Sequence, residues 1–378
     1  MIAHLLSHGL AAHGWAAGSG PAGAWLWALL CASALALASV HAGAAEPSGA
    51  SAAAQRLREA TPGGQRRELE QPFTDTARSD WSYVPRSRSG IPWGDMNSAQ
   101  REATTQLLRT ALTNAGVDKV RAIMALEIAL RELETFGRSR DPHNYAIALF
   151  GLPEPGAAWG WRIEGHHLSL HFSLLGDHYV STLPQFMGAN PALVPRDIPS
   201  GPRQGVRVLS EEEDLARQLM AALEPAQRST ALFSAQPYGD IVTKSARQLS
   251  PLSPVGIGMN ELSAAQQAIL LKLITAFAAH LQPELLEARL ARVRAGQLGT
   301  IRFGWAGSLV PTSLAPNSQV HGEPYYFRIA GAKFLIEFDN SGGNHVHSVW
   351  RDADADWGRD ILAEHYRRAA SQGHSHQH

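Results

Sequence analysis

The chain has 378 residues, and its 33 Lys and Arg residues nearly balance its 34 Asp and Glu residues, which leaves a formal net charge of −1. This balance argues against a nucleic-acid partner, because neutralising phosphates requires a basic excess. The hydrophobic content of 44% argues against disorder of the whole chain. The single cysteine, Cys31, excludes a disulfide framework, a cysteine-rich zinc site and an iron–sulfur cluster. The 17 histidines are unusual, and their spacing decides whether they form a site.

Residues 1–45 are predicted to be a secretory signal peptide. Residues 22–40 are almost wholly apolar and small residues follow them, so we expect cleavage after Ala42 or Ala45. No Lys or Arg precedes Arg56, and the usual positive charge of a signal peptide is therefore missing. The alternative is an uncleaved anchor over residues 22–40, which are numerous enough to span a bilayer. We expect a periplasmic or secreted protein that contacts a membrane only through this segment, if it is retained.

The rest of the chain divides into three parts by composition. Residues 46–94 are rich in Ala, Gly, Ser and Arg without sustained periodicity, which predicts a disordered tether, and Trp81, Tyr83 and Trp93 indicate that its last part lies on the domain. Residues 95–368 carry the periodic apolar patterns of a single domain. Residues 369–378 form a His-rich tail, which is either a flexible metal-binding tract or a disordered end.

Two helices are predicted at the start of the domain. The first follows the cap residue Asn97 or Ser98, and the second begins near Asp118. The polar face of the second helix includes Glu127, and we expect that face to be solvated surface rather than part of a site.

Alternation with a period of two predicts a β-hairpin next. Apolar residues alternate with other residues from Trp159 to Ile163, and the alternation resumes from Leu168 to Phe172. A two-residue turn at Gly165-His166 is expected between the two strands.

Helices return in the middle of the chain. Capping boxes predict the starts of two helices: in each box, a Ser and a Glu or Gln three residues later satisfy backbone N–H groups. A proline at the first helical position predicts the start of a third helix. The predicted starts are Ser210 with Glu213, Ser263 with Gln266, and Pro283.

The last hundred residues alternate again and end in a helix. The predicted elements are strands at Ile301–Trp305, Tyr325–Ile329, Phe334–Asp339 and His345–Trp350, and a closing helix at Trp357–Tyr366. We therefore predict an α+β fold, with an antiparallel sheet built from two hairpin regions and a helical layer between them in sequence.

The two hairpin regions resemble each other. Residues 161–172 and 327–338 share an aromatic–Arg–Ile–x–Gly pattern, followed by two residues and then alternating apolar residues. The match pairs His171 with Glu337. Internal duplication and the convergence of two hairpins on one pattern both account for it. Duplication would allow polar groups from both hairpins to face a shared cleft.

The stretch from Glu337 to His347 is the strongest candidate for a site. On a strand, residues i and i+2 share a face and lie roughly 6.5–7 Å apart at Cα. His345 and His347 can therefore share one cation, and Glu337 and Asp339 form a similar pair.

The length of the loop between these pairs decides whether they meet. A two-residue turn at 342–343 places the acids and the histidines on opposite faces. A loop of three residues (341–343) or five (340–344) places them on one face, with Asp339 opposite His345 and Glu337 opposite His347. The sequence leaves this open, although turn statistics for Gly-Gly favour the shorter loop.

His166 and His167 lie at the turn of the first hairpin and are further candidate ligands. Adjacent side chains diverge on a strand, so only one of them is expected to face a given site. His167 and His171 share a face but lie about 13 Å apart, which is too far for one ion. The alternatives are a structural role in the turn for His166 and His167, and hydrogen bonds or ion pairs for His345, His347 and the two acids.

We predict one transition-metal ion, of Zn, Cu, Fe or Mn, because histidines and carboxylates suit these metals. Its ligands would be His345 and His347, with His166, His167 and Asp339 as further ligands and Glu337 as a general base. The protein would be a metal-dependent hydrolase or oxidoreductase; a non-catalytic metal-handling protein and a metal-free module that binds a small molecule are the alternatives. The metal-free module would use a cleft of tryptophans: Trp159, Trp161, Trp305 and Trp350. No serine-hydrolase or nucleotide-binding motif supports another enzyme class.

Several short motifs from roughly Asp95 to Arg367 are specific as a set. They are Gly165-His166-His167-Leu168-Ser169-Leu170, Gly188-Ala189-Asn190-Pro191, Tyr325-Tyr326-Phe327-Arg328-Ile329, Glu337-Phe338-Asp339-Asn340, Asn344-His345-Val346-His347-Ser348-Val349-Trp350-Arg351-Asp352, Gly358-Arg359-Asp360 and His365-Tyr366. Together they resemble the family catalogued as domain of unknown function 3500. The resemblance implies a single unit of this size that is often exported. It implies no mechanism, because the family has no settled activity.

Overall fold

The computed structural model describes residues 49–134, 140–315, 317, 319–359, 362–363 and 367. The predicted signal peptide, the His-rich tail and half of the predicted closing helix lie outside these residues. Within them, no helix is both long enough and apolar enough to cross a membrane. They form a mixed α and β structure with a large, mostly antiparallel sheet.

The helices of the described residues occur in both halves of the chain. They are α1 (Ala50–Ala60), α2 (Arg66–Leu69), α3 (Asp75–Ser79), α4 (Ser98–Ala111), α5 (Asn114–Leu133), α6 (Ser210–Ala222), α7 (Pro225–Ala231), α8 (Ala264–Ala276) and α9 (Pro283–Ala295). The capping box of Ser263 and Gln266 forms at the start of α8, as predicted. The predicted box at the start of α6 does not form, because Glu213 pairs with Arg207 and Arg217 instead, each at 2.9 Å.

The strands of the described residues also occur in both halves of the chain. They are β1 (Glu70–Gln71), β2 (Ile91–Pro92), β3 (Ala146–Phe150), β4 (Ala158–Gly165), β5 (Leu168–Leu175), β6 (His178–Ser181), β7 (Gln185–Ala189), β8 (Leu232–Ser234), β9 (Ile257–Gly258), β10 (Arg302–Gly307), β11 (Ser313–Leu314), β12 (Val320–His321), β13 (Tyr325–Ala330), β14 (Phe334–Ser341) and β15 (His345–Asp352). Among the described residues, thirteen strands form one sheet. Ten of them follow the order β1-β3-β4-β5-β7-β15-β14-β13-β10-β8, and the other three pair outside this order, β2 with β3, β6 with β5 and β9 with β10. Strands β11 and β12 form a separate pair. The chain after β15 makes a 3-10 turn at Asp356–Gly358.

The sheet has one face against helices and one face against two loops. Apolar side chains such as Trp161 and Phe338 join the helices in the main core. The opposite face carries most of the buried polar side chains and a small apolar cluster that includes Phe186 and Val349. It is enclosed by a first covering loop (residues 80–90) and a second covering loop (residues 235–256). Arg162 donates to the carbonyl oxygen of Asp80 in the first loop at 2.5 Å, and Arg328 donates to that of Ser253 in the second. The candidate residues lie under these loops.

The prediction of a disordered tether at residues 46–94 is wrong for its described part. Helix α1 buries Ala53, Ala54 and Leu57 completely, and it packs against α4. These residues recur at helical spacing, but the small size of alanine hides the stripe among the Gly, Ser and Arg residues around it. An ion pair of 2.7 Å between Arg58 and Glu70 also holds this segment.

The first hairpin forms with a turn one residue later than predicted. Gly165 pairs with Leu168, so the two turn residues are His166 and His167. His167 has a φ of 62°, in the left-handed region that non-glycine residues rarely occupy. With this backbone conformation the two adjacent imidazoles stack on each other, 3.8 Å apart between centroids, instead of diverging as side chains on a strand would.

The second hairpin has a three-residue loop at 342–344. Asp339 pairs with His347, and Ser341 pairs with His345. The acids and the histidines therefore share one face, which is the result expected for a loop of three or five residues. The observed pairing is shifted by two residues from the predicted one, because the loop contains Asn344 and not Ser341. Glu337 lies opposite Val349 instead of His347.

The two halves of the sheet have the same construction. In each half, a central strand pairs with one short parallel strand and one short antiparallel strand. The central strand of the first half is β3, which pairs with β1 and β2. That of the second half is β10, which pairs with β8 and β9. Each central strand begins a run of antiparallel neighbours, β4 and β5 in one half and β13 and β14 in the other. Strands β7 and β15 join the halves at the centre.

The same offset in residue number relates the halves. The pairs Trp161–Phe172 and Phe327–Phe338 are equivalent and lie 166 positions apart. The offset recurs far upstream, where Asn97 with Gln100 and Ser263 with Gln266 form equivalent capping boxes at the starts of α4 and α8. The strand order and pairing agree between the halves, and the offset of 166 holds at the hairpins and at the capping boxes. Leu149 and Trp305, which pair with the equivalent residues Trp161 and Phe327, lie 156 positions apart. The agreement in order and pairing supports internal duplication over the convergence of two hairpins.

Candidate metal centre

Three imidazoles converge on the loop-covered face of the sheet. His167 comes from the turn between β4 and β5, and His345 and His347 come from the start of β15. A ring nitrogen of each lies within 4.8 Å of those of the other two. Nε2 of His167 is 2.8 Å from Nε2 of His345. His167 and His347 are buried and His345 is partly exposed, so the group has an open side.

Gly188 on β7 makes room for the ring of His167. Its backbone N–H donates to the carbonyl oxygen of His167 at 2.8 Å, which ties the turn to the neighbouring strand. A Cβ at this position would lie 3.2 Å from the His167 ring and 2.7 Å from the carbonyl oxygen of Val346. Any larger residue would therefore move the imidazole or the strand.

The loop before β15 fixes the start of that strand. Asn340 accepts from the backbone N–H of His345 at 3.0 Å and donates to the carbonyl oxygen of Gly343 at 3.2 Å. Thr312 donates to the same carbonyl oxygen at 2.8 Å. Gly343 has a φ of 82°, and its Cβ would lie 2.2 Å from the carbonyl oxygen of Gly322. These contacts select the three-residue loop and hence the face on which His345 and His347 lie.

A carboxylate orients His347 from outside the group of imidazoles. Asp240, in the second covering loop, lies 2.7 Å from Nδ1 of His347, and the hydroxyl of Tyr83 donates to Asp240 at 2.9 Å. Burial alone would raise the pKa of Asp240, but its contacts with His347 and Tyr83 hold that pKa below its ordinary value. Nδ1 of His347 is thus the donor to a carboxylate, which leaves Nε2 as the atom that can bind a metal.

The surroundings keep the other two imidazoles neutral. Burial, followed by the proximity of the other histidines, holds the pKa of His167 well below its usual range. The same causes lower the pKa of His345 to about 3. Neutral imidazoles with available lone pairs are the form of histidine that binds transition metals.

His166 stacks against the group without supplying a nitrogen to it, and it contacts a helix. Its Nδ1 lies 2.5 Å from a carboxylate oxygen of Glu127 on α5, and its ring stacks on that of His167 at 3.8 Å between centroids. Glu127 is 4% exposed. The expectation that Glu127 lies on a solvated surface is therefore wrong: that face of α5 supports the hairpin turn that presents His167.

Glu337 holds the second covering loop in place. Its carboxylate accepts from the backbone N–H groups of Val242 at 2.6 Å and Thr243 at 3.1 Å. It also accepts from the hydroxyls of Thr243 at 2.5 Å and Tyr326 at 2.9 Å. Both oxygens are engaged, which favours a structural role for Glu337 over the general base predicted from the sequence. Because Val242 follows Asp240 by two residues, this anchor also positions the partner of His347.

Asp339 is buried beside the group without belonging to it. It lies opposite His347 in the sheet and is fully buried. Neither carboxylate oxygen accepts a hydrogen bond of ordinary geometry from a described residue, and the backbone N–H of Ser341 is the nearby donor. Burial, and then the carboxylates of Asp240 and Glu337, raise the pKa of Asp339 to about 7.

A family model described as "Protein of unknown function (DUF3500)" matches residues 44–359. The chain belongs to this family. The resemblance read from the short motifs is thereby confirmed, and the match of this DUF3500 protein begins well before Asp95, in agreement with the packing of α1. No curated protein and no solved structure matches the chain.

The sequence of this DUF3500 protein did not reveal three of the residues around the imidazoles. Tyr83 lies in the segment read as a tether, Asp240 lies in a loop rich in Pro, Ser and Gly, and Glu127 lies on the polar face of a helix. None of these positions carries a period or spacing that points to His166 or His347. Only the sequence Tyr238-Gly239-Asp240, where Gly239 has a φ of 76°, signals a local turn.

The tryptophans considered for a metal-free binding cleft do not line one together, although Trp350 borders a cavity with Arg289 and Phe334. All four are at most 1% exposed and belong to the main core on the helical side of the sheet. They are Trp159, Trp161, Trp305 and Trp350. Their alternation in sequence reflects the core face of the strands.

Proposed function

We propose that this protein binds one transition-metal ion through His167, His345 and His347. The observation that carries the proposal is the convergence of three ring nitrogens within 4.8 Å, from two segments far apart in sequence. Packing neutral imidazoles together under loops is costly when their nitrogens lack partners, and one hydrogen bond between His167 and His345 satisfies only part of the group. A metal ion would satisfy all three.

The surroundings also have the form expected for a metal site. Histidine ligands usually donate their second ring N–H to a carboxylate, and Asp240 stands in that position beside His347. Three imidazoles suit Zn, Cu, Fe and Mn ions, and the described residues include no cysteine that could make this a soft sulfur site.

The partly exposed side of the group favours an enzyme. Three protein ligands leave a fourth position for water or substrate, which is the arrangement of catalytic rather than structural zinc sites. A bound metal would activate water for hydrolysis or activate O₂ for oxidation. A metal-handling protein without catalysis is the second candidate, and the His-rich tail at residues 369–378 favours it because such tracts capture metal ions.

Export belongs to the same proposal. Residues 1–45 would be removed as a signal peptide, and the metal would be acquired in the periplasm or outside the cell. Determining the amino-terminal residue of the mature protein tests this part: a chain that begins after Ala42 or Ala45 supports it. A membrane-bound chain that retains residues 22–40 would show the anchor instead.

Elemental analysis of the purified protein tests the metal site. We expect about one equivalent of metal above the control level in the wild type, and its loss in the double variant His345→Ala/His347→Ala. The matched control is His178→Ala/His321→Ala, which removes two exposed imidazoles and leaves the tail intact. Equal metal content in all three proteins would overturn the proposal. Circular dichroism of the variants separates loss of a ligand from loss of the fold.

A further inference from the structure

The orphaned carboxylate of Asp339 points to a missing partner. Asp339 lies on β14 between Tyr326 on β13 and His347 on β15, on the loop-covered face. It is fully buried, and neither of its oxygens accepts a hydrogen bond of ordinary geometry from a described residue, although the nearby backbone N–H of Ser341 lowers its pKa slightly. Buried carboxylates in proteins are normally paired, hydrogen-bonded or bound to a cation, since an isolated one is costly.

The charged groups that act on Asp339 are both carboxylates, those of Asp240 and Glu337. Glu337 already accepts four hydrogen bonds and contributes mainly its charge. Asp240 accepts hydrogen bonds from His347 and the backbone N–H of Ile241 at one oxygen and from Tyr83 at the other. A carboxylate has about four acceptor positions, so the oxygen that contacts Tyr83 keeps one for a further ligand.

We propose that Asp339 and Asp240 hold a second, oxygen-ligated divalent cation beside the three-histidine site. Hard cations such as Mg²⁺ and Mn²⁺ are commonly bound by one or two carboxylates together with water, so two aspartates are a sufficient protein contribution. Asp240 would contact the cation and orient His347 at once, which would couple the two sites. The inference rests on the proposed function, because the first site is the three-histidine group.

Sequential loading of the whole protein with two metals tests this inference. The protein is first saturated with Zn²⁺, and Mn²⁺ is then added while the electron paramagnetic resonance signal of free Mn²⁺ is followed. We expect the wild type to take up one Zn²⁺ and then one Mn²⁺. Asp339→Asn should retain the Zn²⁺ and weaken Mn²⁺ binding by more than the roughly 10–100-fold that loss of an outer partner costs.

A matched variant and the wild type together keep the test decisive. Asp118→Asn removes an aspartate whose side chain is 75% exposed, and it should bind both metals as the wild type does. A wild type that takes up Zn²⁺ but no Mn²⁺ overturns the second site and leaves the first standing. A wild type that takes up neither overturns both. Equal Mn²⁺ uptake by Asp339→Asn and Asp118→Asn places the ion elsewhere and also overturns the inference.

Discussion

The substitution Gly188→Ala tests how the sheet positions His167. Gly188 lies on the central strand β7, opposite His347 in the sheet and directly beneath the ring of His167. The added methyl group would lie 2.7 Å from the carbonyl oxygen of Val346 and 3.2 Å from two carbons of that ring. The first distance is too short for any carbon–oxygen contact, so either β15 or the turn must move.

The expected cost follows from these distances. Forcing one extra methyl group into a well-packed interior costs about 1–3 kcal/mol. Both segments that could move carry proposed metal ligands: β15 carries His345 and His347 on either side of Val346, and the turn carries His167. Binding sites lose function when their groups move by roughly 0.5 Å, so we expect the affinity for Zn²⁺ to fall by about 10–100-fold.

Calorimetry measures both effects, by thermal unfolding for stability and by titration for Zn²⁺ affinity. The control is Gly299→Ala, where an added Cβ has no neighbour within 4 Å and stability should change by no more than about 0.5 kcal/mol. Combining Gly188→Ala with His167→Ala should recover part of the lost stability, because one of the two close contacts disappears. The reasoning is refuted if Gly188→Ala melts and binds Zn²⁺ as the control does.

Three carboxylates around the same centre have separate expected roles. Asp240→Asn keeps the shape of the side chain but removes the charge beside His347. The Zn²⁺ affinity measured by titration should fall about 10–100-fold, while the circular dichroism spectrum stays unchanged. An unchanged affinity would contradict the orienting role of Asp240. Glu337→Gln places an amide against N–H donors, and thermal unfolding should show a loss of about 1–3 kcal/mol, whereas the exposed Glu323→Gln should show almost none. Asp339→Asn, in the metal-free protein, should raise stability by up to about 4 kcal/mol at pH 8 and by little at pH 4. The sign follows because the folded protein raises the pKa of Asp339 to about 7: the wild type has its full stability below pH 4, where the carboxyl is protonated in both states, and loses stability as the pH rises towards 7. A stability difference that is flat from pH 4 to pH 8 would contradict this assignment.

Local periodicity was enough to predict the strands that carry the site. The alternation of period two around His345 and His347 placed both on one face, and the structure confirms that spacing. The length of the preceding loop could not be predicted in the same way. Gly342-Gly343 suits a two-residue turn, but contacts of Gly343 with Thr312 and Gly322, which are distant in sequence, select three residues.

The residues that support the imidazoles could not be predicted because they are defined by tertiary contacts. Asp240 reaches His347 across 107 positions of sequence, and Glu127 reaches His166 across 39. A glutamate on the polar face of an amphipathic helix looks the same in sequence whether solvent or a buried histidine faces it. The same limit applies to α1, because its stripe of alanines can be recognised as a buried face only from its packing against α4.

The equivalence of the two halves explains why the described chain contains a single three-histidine group. The turn between β13 and β14 is equivalent to the turn that carries His166 and His167: Ala353 donates to the carbonyl oxygen of Lys333 at 2.8 Å, just as Gly188 donates to that of His167. Its side chains differ, and Lys333 instead pairs with Asp354 at the surface. At the offset of 166 positions, the equivalent residues of the two halves are Glu127 and Val293, His166 and Ala332, and His167 and Lys333. His345 and His347 come from the other half, so the group forms only where β7 and β15 join the two halves. A metal centre of this kind therefore requires both halves and their later divergence in sequence.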